Sequence, residues 1–359
     1  MLEGLSLKLY SRYVGYVYFK YVVILFIALE CFYVGIDVLT NLKDFPQSAN
    51  TALLYIALTA SVAVTYTLPL SLIFALIITA FNMIRSNEFV SFYALGVSKN
   101  SFIVPPFLIA LIITLIYIGL NNTPFAYSLR FQKNLTNFSQ IWSLSNDMFL
   151  KFEGKYIYIK ELNPGAKAAS DIAFFEVKDN ALISKSSSQK GVYEDKKWHF
   201  SELNTTILPS EFELGKDGLK YEIQNDITAL GGFDPNTIES VYDSANVYTI
   251  SEAVKSIKTF KSQGINVGSI KANLYNMIFF PLFAPLMVLI LYYYLPVTGR
   301  FFNLALLSFG FFIATLCIWG VLFVLIRFSL NGVIIPELGI IMPIFAMFLF
   351  ALYLVFKHR

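Results

Sequence analysis

The segment RSNEFVSFYALGVSKN, Arg85 to Asn100, lies between two long apolar runs of the sequence. The run before it covers about residues 52–83 and the run after it about residues 101–121. Each run is long enough to cross a bilayer, which takes about 20 apolar residues. A connection between two such helices needs only a few polar residues. The sixteen residues here therefore predict a structured element at the membrane surface.

The same segment has the features of a short helix over about residues 86–95. Ser86 offers a cap, Glu88 places an acid in the first turn, and Gly96 can end the helix in the left-handed conformation. Three aromatic residues lie on one face, namely Phe89, Phe92 and Tyr93. Two interpretations are open: a helix resting on lipid headgroups, or one presenting aromatics and a carboxylate to a cytoplasmic protein. The scarcity of basic residues, which would attract anionic lipid, favours the second.

The composition divides the chain into parts suited to lipid and to water. Of its 359 residues 56% are hydrophobic and only 14% charged, whereas soluble domains average about 25% charged. Residues 122–271 hold 17 of the 27 Lys and Arg and 18 of the 24 Asp and Glu. This middle region is nearly neutral, which argues against a basic surface for nucleic acid. The two cysteines, Cys31 and Cys317, fall in apolar runs and have no spacing typical of metal ligands.

Hydropathy predicts six transmembrane helices, at about residues 17–40, 52–83, 101–121, 273–295, 301–326 and 337–356. The first is too long for a cleavable signal peptide, so we interpret it as an anchor. The second is longer than a perpendicular span and contains Pro69, which predicts a tilt or a break. The fold class is therefore an α-helical integral membrane protein with three helices on each side of an inserted domain.

The distribution of basic residues predicts that both termini are cytoplasmic and that the middle domain lies on the outer side of the membrane. With this orientation eight basic residues lie near inner ends of spans: Lys8, Arg12, Lys20, Arg85, Lys99, Arg300, Lys357 and Arg359. Four lie near outer ends: Lys43, Arg130, Lys133 and Arg327. The segment between the second and third spans is then cytoplasmic. The predicted parts are residues 1–121 with three spans and the loop helix, residues 122–271 outside, and residues 272–359 with three spans.

The middle region is predicted to be rich in β-strands. KYIYIKEL, Lys155–Leu162, alternates with period two, and VYEDKKWHFSEL, Val192–Leu203, predicts a hairpin with its turn at Glu194–Lys197. Several short strands at near-regular spacing favour an antiparallel sandwich or jelly roll. The following stretch, TISEAVKSIKTFKSQG, predicts a helix capped by Ser251 and stopped by Gly264.

The sequence argues against a self-sufficient enzyme. It has no G-x-x-x-x-G-K-[ST] motif for a nucleotide and no G-x-S-x-G motif for a serine hydrolase. Its two histidines, His199 and His358, are far apart and have no partner at zinc-ligand spacing. We therefore expect no catalytic residues, no metal and no cofactor of its own.

Four charged residues near or within spans are candidates for a substrate cavity or gate: Glu30, Asp37, Lys43 and Arg327. A charge at mid-bilayer costs several kcal/mol, so such residues normally face protein or a water-filled cavity. Glu30 is the deepest, and its alternative role is a hydrogen-bonded packing residue. The other three either extend to the interface or line the outer mouth of a cavity for a charged amphiphile. Lys43 and Arg327 have the chemistry to hold phosphate or carboxylate groups there.

The quoted motifs together resemble the LptF/LptG lipopolysaccharide-export permeases. LPLSLIFALIITAFNMIRSNEFVSFYALGVSKNSF, Leu68–Phe102, is similar to that family's proline-containing second span and loop helix. NNTPFAYSLRFQ, Asn121–Gln132, is similar to its exit into the outside domain. Tyr248–Leu282 and Leu7–Phe19 look more like the G-type subunit than the F-type. The resemblance follows nearly the whole chain in order, with the same three-plus-three arrangement.

The resemblance implies an ATP-driven machine with several partners. They are a sister permease of the LptF type, a cytoplasmic ATPase dimer of the LptB type that binds the ATP, periplasmic bridge proteins of the LptC/LptA type, lipopolysaccharide and membrane lipids. Lipopolysaccharide would enter sideways from the outer leaflet of the inner membrane, between the first span of one permease and the fifth of the other.

The resemblance also implies residue roles. Glu88 matches the acid that couples the ATPase, and the docking helix would comprise Glu88, Phe89, Phe92, Tyr93, Leu95 and Gly96. Asp37 matches an acid at the outer end of the first span, where G-type relatives have more basic residues than this chain. A second function class is open: an adaptor that passes ATPase motion to a periplasmic partner without moving a substrate. Adaptors of that kind usually have four spans, with the outside domain between the first two.

Overall fold

The computed structural model describes residues 9–46, 48–138, 145–152, 154–178, 181–195, 197–209, 218–230, 235, 247–262 and 267–358. The chain divides into two compact units. The first contains residues 1–128 and 268–359, and the second contains residues 129–267.

The helices alternate long apolar elements with short connecting ones. In chain order they are α1 (Leu9–Thr40), α2 (Ala49–Arg85), α3 (Glu88–Ala94), α4 (Lys99–Leu120), α5 (Ser128–Phe138), α6 (Ile250–Ser262), α7 (Gly268–Ile278), α8 (Phe283–Tyr294), α9 (Leu304–Leu330) and α10 (Met342–Lys357). Short 3-10 turns lie at Leu42–Asp44, Pro124–Tyr127 and Phe280–Leu282.

Six helices are long and apolar enough to cross a membrane, which confirms the predicted number. They are α1, α2, α4, the continuous stretch of α7 and α8, α9, and α10 with the π-helical turn Glu337–Ile341 before it. Three precede the strands in the sequence and three follow them, as the hydropathy predicted. The spanning segments are helices because lipid offers no hydrogen-bond partners, so the backbone groups of each segment must bond to one another.

The first span begins earlier than predicted, at Leu9 rather than near residue 17. Tyrosines and basic residues lower the hydropathy of this end, but they do not interrupt the helix. Val14 and Tyr18 are fully buried there, so packing stabilises turns that a hydropathy window leaves out. Lys8, one of the predicted inner cations, lies outside the described residues.

The second span continues through Pro69 without a break. At a rise of 1.5 Å per residue its 37 residues extend roughly 55 Å, well beyond the hydrocarbon thickness of about 30 Å. The continuous helix contradicts the predicted break, and the tilt stays a prediction. Pro69 is buried, and Ser71 Oγ donates to Leu68 O at 2.8 Å in the adjoining turn.

The spans differ greatly in how much of their surface the chain itself covers. α2 and the fourth span, α7 with α8, are buried along most of their length. In contrast, α1 and α9 leave most of their apolar residues exposed. The core of the first unit is therefore built around α2 and α8, and α1 and α9 lie at its edge.

The second unit contains a six-stranded antiparallel sheet in which neighbours along the chain are neighbours in the sheet. The strands are β1 (Ser145–Phe152), β2 (Lys155–Asn163), β3 (Ala168–Lys178), β4 (Ala181–Glu194), β5 (Lys197–Ile207) and β6 (Lys220–Ala229). The pairs Glu194↔Lys197 and Tyr193↔Trp198 confirm the predicted hairpin, although residue 196 of its turn lies outside the described residues. The order is that of an antiparallel meander and does not specify a jelly roll.

One face of the sheet forms a second hydrophobic core, in which Trp198 and Phe200 are 1% exposed. Gly191 lies opposite Phe200 in the ladder, and a Cβ at this glycine would meet a ring atom of Phe200 at 2.8 Å. The absence of a side chain at Gly191 therefore makes room for the Phe200 ring.

The helix α6 begins with a capping box, but its cap is Thr249 and not the predicted Ser251. The Thr249 backbone N–H donates to Glu252 Oε2 at 3.0 Å, and the Glu252 N–H donates to Thr249 Oγ1 at 3.3 Å. The prediction was wrong because both residues can cap, and the Thr-x-x-Glu spacing selects the first. The predicted stop at Gly264 lies outside the described residues.

The C-terminal end of α9 packs closely against the π-helical turn at Gly339. A Cβ added at Gly339 would lie 2.0 Å from Ser329 Oγ and 3.1 Å from the backbone oxygen of Leu325. Ser329 is fully buried and its hydroxyl donates to Leu325 O at 2.9 Å. Small residues that allow such close approach are a common means of packing helices in membranes.

We predict that Gly339→Ala destabilises the protein because the two helices have to separate, at a cost of about 1–3 kcal/mol typical of overpacking. The thermal unfolding midpoint of the purified protein in detergent measures this. Removing the Ser329 side chain in the double variant Gly339→Ala/Ser329→Gly is expected to restore part of the loss.

The matched control is Gly320→Ala, because Gly320 lies on α9 and a methyl group added there would have no neighbouring atom within 4 Å. An equal fall of the unfolding midpoint in both alanine variants would contradict the close contact.

Candidate functional site

The loop helix α3 is seven residues long and is shorter than the predicted 86–95. Asn87 caps it with a φ of +60°, and Gly96 follows it with a φ of +81°. Ser86 is not its cap, because it is the C-cap residue of the preceding helix, where its backbone N–H donates to Asn82 O at 3.0 Å. The left-handed Asn87 thus places α3 almost directly after the second span, and asparagine is one of the residues that tolerate this conformation.

Phe89 points into the protein, which corrects the prediction that this ring is presented to a partner, whereas a docking role for Phe92 and Tyr93 stays a prediction. Phe89 is only 2% exposed, and its ring centre lies 4.6 Å from that of Phe102 on α4 and 6.3 Å from that of Tyr292 on α8. Phe92 and Tyr93 are partly buried against the same core. Burying this surface stabilises a helix too short to be stable alone.

The tyrosines at the C-terminal end of the fourth span also hold α3 in place, and this role was not predicted. The hydroxyls of Tyr93 and Tyr292 lie 3.0 Å apart, and Tyr292 OH donates to Lys99 O at 2.9 Å. Lys99 Nζ donates to Tyr293 O at 2.9 Å. The run Tyr292-Tyr293-Tyr294 at the end of an apolar segment was the available signal, since tyrosines are enriched at membrane interfaces.

The opposite face of α3 is open. Val90, Ser91 and Ala94 are exposed, and Leu95 at the end of the helix is 79% exposed. This surface continues into a cavity of about 910 Å³ between α3 and the beginning of α1. The cavity is lined by Leu9, Tyr10, Tyr13, Glu88, Phe92, Leu95, Gly96, Val97, Ser98 and Ser101.

Glu88 lies at the edge of this cavity and accepts two hydrogen bonds. Ser86 Oγ donates to Oε1 at 2.8 Å, and Tyr13 OH donates to Oε2 at 3.1 Å. The carboxylate is half-buried and is thereby oriented toward the first span. The predicted coupling acid is thus connected to α1 as well as to the loop.

Glu30 lies on the first span, and its side chain contacts the second span. Thr67 Oγ1 donates to Glu30 Oε1 at 2.5 Å, and the same hydroxyl lies 3.0 Å from Ala63 O. The other oxygen, Oε2, is enclosed and has no hydrogen-bond partner among the described residues. This geometry fits the packing alternative for Glu30, and a role toward substrate stays a prediction.

An aromatic cluster adjoins Glu30 and connects α1, α2 and α9. The ring of Tyr33 stacks on Tyr66 at 6.1 Å, and Tyr66 meets Trp319 and Phe323 edge-on at 6.5 and 6.4 Å. The Arg327 guanidinium lies 5.0 Å from the centre of the Phe323 ring. The predicted residues Glu30 and Arg327 are therefore placed at two ends of one cluster.

Asp37 lies one turn beyond Tyr33 on the same face of α1, and Lys43 follows in the turn after the helix. Tyr55 OH donates to Asp37 Oδ2 at 2.6 Å, so a buried tyrosine of α2 holds this carboxylate. Lys43 is exposed in the 3-10 turn after α1. No contact between described residues brings Lys43 to Arg327, and their joint action on an anion stays a prediction.

An ion pair at the start of the fourth and sixth spans was not predicted. Lys271 Nζ lies 3.1 Å from Glu337 Oε1, and Tyr275 OH lies 3.4 Å from the same oxygen. Both charged side chains are partly exposed.

Within the part of the chain that the structure describes, no three His, Cys, Asp or Glu side chains come together as metal ligands.

We predict that Thr67→Val lowers the free energy of unfolding by about 1–3 kcal/mol, because it leaves the enclosed Glu30 carboxyl without its donor. Adding Glu30→Leu is expected to recover much of that loss, since replacing both polar partners removes the unpaired group. Thermal unfolding in detergent measures both effects. Ser61→Ala on α2, whose hydroxyl donates within its own helix, is the control, and a loss equal to that of Thr67→Val would refute the prediction.

Comparison with known families gives one assignment. A family model described as the lipopolysaccharide export system permease LptF/LptG matches residues 12–357. No curated protein sequence matches the chain. The family match does not distinguish the two subunit types, so the likeness to the G-type stays a prediction. Because the match covers nearly the whole chain and agrees with the six spans and the inserted sheet, the chain belongs to the LptF/LptG family of lipopolysaccharide-export permeases.

Proposed function

We propose that this chain is the transmembrane subunit of an ATP-driven machine that extracts lipopolysaccharide from the outer leaflet of the inner membrane. Family membership supports the export of lipopolysaccharide and a multi-pass place in the inner membrane. The ATP is bound and hydrolysed by a separate cytoplasmic ATPase dimer of the LptB type. The chain itself needs no cofactor and performs no chemical step.

The proposal rests mainly on the way α3 is attached, with one face buried and the other accessible. Its inner face is fixed to α4 and α8 by Phe89, while its outer face and the adjoining cavity stay accessible. When an external protein displaces a helix attached in this way, the spans that the helix contacts move with it. The open surface is mainly apolar, with Glu88 at its edge, which suits a docking partner of the same mixed chemistry.

The exposed spans support a pairing with a sister permease of the LptF type. The outward surfaces of α1 and α9 are apolar over most of their length and face lipid or another helix. In the proposed assembly α1 of one permease faces the fifth span of the other, and lipopolysaccharide enters between them. Glu30, Asp37, Lys43 and Arg327 belong to these two helices and the turn after α1, so they would border that entrance.

The energetic demand of extraction explains why such a machine requires ATP. Removing acyl chains from the bilayer costs about 0.8 kcal/mol per CH₂ unless an apolar cavity replaces the lipid. The sheet unit would receive the lipid on the periplasmic side and join bridge proteins of the LptC/LptA type. A jelly-roll form of that unit is part of the proposal.

The coupling role of α3 predicts the behaviour of Glu88→Ala in the assembled transporter. This variant should keep its fold, because Glu88 is half-buried and its aromatic neighbours hold the helix. Lipid release per ATP hydrolysed should fall at least tenfold, which is measured in vesicles that hold the complete complex and a periplasmic acceptor.

Ser61→Ala on α2 is the control, since Ser61 lies outside α3 and its cavity and its hydroxyl donates to Ala57 O within its own helix. Normal release by Glu88→Ala would remove the coupling role. ATP-dependent motion of the acceptor without any lipid on it would favour the adaptor function instead.

Single cysteines in a background of Cys31→Ala and Cys317→Ala test on which side of the membrane α3 and the sheet unit lie. We expect an impermeant maleimide on intact spheroplasts to label Ser170→Cys on β3, which is exposed, and not Leu95→Cys on the loop. Opened membranes provide the control in which both positions react. Labelling of Leu95→Cys in sealed cells would place α3 on the periplasmic side and exclude ATPase docking.

A further inference from the structure

We infer that Tyr13 is a positioning residue that passes movement of the loop helix to the first span. The inference rests on the proposed function and identifies the connection by which ATPase motion reaches the edge of the transporter. It concerns the cytoplasmic end of α1, which hydropathy alone placed outside the first span.

Tyr13 makes two kinds of contact with the loop helix. Its hydroxyl donates to Glu88 Oε2 at 3.1 Å, and its ring centre lies 6.4 Å from that of Phe92. The ring of Tyr10, one turn earlier, lies at the same distance from Phe92. α3 therefore touches α1 by a directed hydrogen bond and by aromatic packing.

Just beyond this contact α1 is fixed to the core. Tyr18 is fully buried and donates to the backbone oxygen of Leu72 on α2 at 2.9 Å. Tyr21 OH accepts a hydrogen bond from Asn82 Nδ2 at 2.9 Å. Gly15 lies against α4, and a Cβ there would be 3.4 Å from Ile109. These contacts make the region of Tyr18 a fulcrum for the helix.

The outer part of α1 is held much less firmly. The buried residues of the helix all lie between Val14 and Val22, whereas farther out its polar contacts to described residues of α2 are those of Glu30 and Asp37. A continuous helix rises 1.5 Å per residue, so Tyr13 lies roughly 8 Å and Asp37 roughly 28 Å from Tyr18. A tilt of α1 about the buried Val14–Val22 region would therefore move its outer end farther than it moves Tyr13.

The contact of Tyr13 with Glu88 is suited to transmission rather than to stability. Tyr13 is 43% exposed, and a hydrogen bond at that exposure contributes little to folding. Its loss should leave the packing of Tyr10 and Phe92 in place. Removing only the hydroxyl therefore separates a role in transmission from a role in the fold.

The test is Tyr13→Phe in the complete complex of both permeases and the ATPase, reconstituted in vesicles with a periplasmic acceptor. We expect the ATP hydrolysed per lipid released to rise about fivefold. The ATPase should remain bound, and the unfolding midpoint should be unchanged. Tyr16→Phe, an exposed tyrosine one turn along the same helix, should behave as the wild type.

A distance measurement supplies a readout that a structural role would not change. Spin labels at Leu39→Cys on α1 and Leu53→Cys on α2, both exposed, report the outer end of α1 in the cysteine-free background. A nucleotide-dependent change of this distance is expected in the wild type and should be lost in Tyr13→Phe. In the Glu88→Ala variant, Tyr13→Phe should add no further effect, because its acceptor is already absent.

The outcomes separate this inference from the proposed function. If the wild-type complex releases lipid and Tyr13→Phe releases it with the same ATP requirement and the same distance change, the inference is wrong and the proposed function stands. If Tyr13→Phe loses the ATPase from the complex, Tyr13 is a docking residue and the inference is also wrong. If the wild-type complex moves no lipid, the proposed function itself fails.

Discussion

The burial of one aromatic side chain, Phe89, determines where the short helix between the second and third spans is fixed. The seven residues of α3 are too few to form a stable helix in isolation. Contact of Phe89 with Phe102 and Tyr292 fixes the helix at the junction of the second, third and fourth spans. Aromatic contacts of this kind contribute about 0.5–1.5 kcal/mol per pair beyond the area they bury. The short helix therefore has a fixed position before any partner arrives, and binding to its outer face does not carry the entropic cost of ordering it.

The same arrangement divides the membrane unit into a core and an edge. α2 and α8 are enclosed by neighbouring helices, and α3 is attached to this enclosed part. α1 and α9 lie outside it and contact it through separate polar and aromatic groups along their length. A helix bound at a few points can tilt without disrupting the core, whereas a helix packed on all sides cannot. The division therefore permits α1 to respond to α3 while the rest of the fold stays intact.

The sequence predicts the number of spans and the presence of a β-rich insertion because both follow from local rules: about 20 apolar residues to cross lipid, and period-two alternation in half-buried strands. It also locates the loop helix to within two residues of its start. It does not predict which face of that helix is buried, since Val90 and Leu95 on the open side are as apolar as the residues facing inward. Nor does it predict that Thr67 is the partner of Glu30, or that Tyr13 meets Glu88 across 75 positions. These pairings depend on how the helices pack, which no local pattern encodes.

The contact between the first, second and fifth spans encloses two polar atoms that weaken it. Glu30 Oε2 and Trp319 Nε1 are both enclosed beside the Tyr66 cluster and have no hydrogen-bond partner among the described residues. Each unpaired buried polar atom costs about 1–3 kcal/mol relative to a paired or hydrated one. That cost exists only while the three helices enclose the two atoms, and it offsets part of the apolar and aromatic attraction that holds α1 and α9 against α2. The free energy needed to separate α1 and α9 from α2 is therefore smaller than the packing of these helices alone would require.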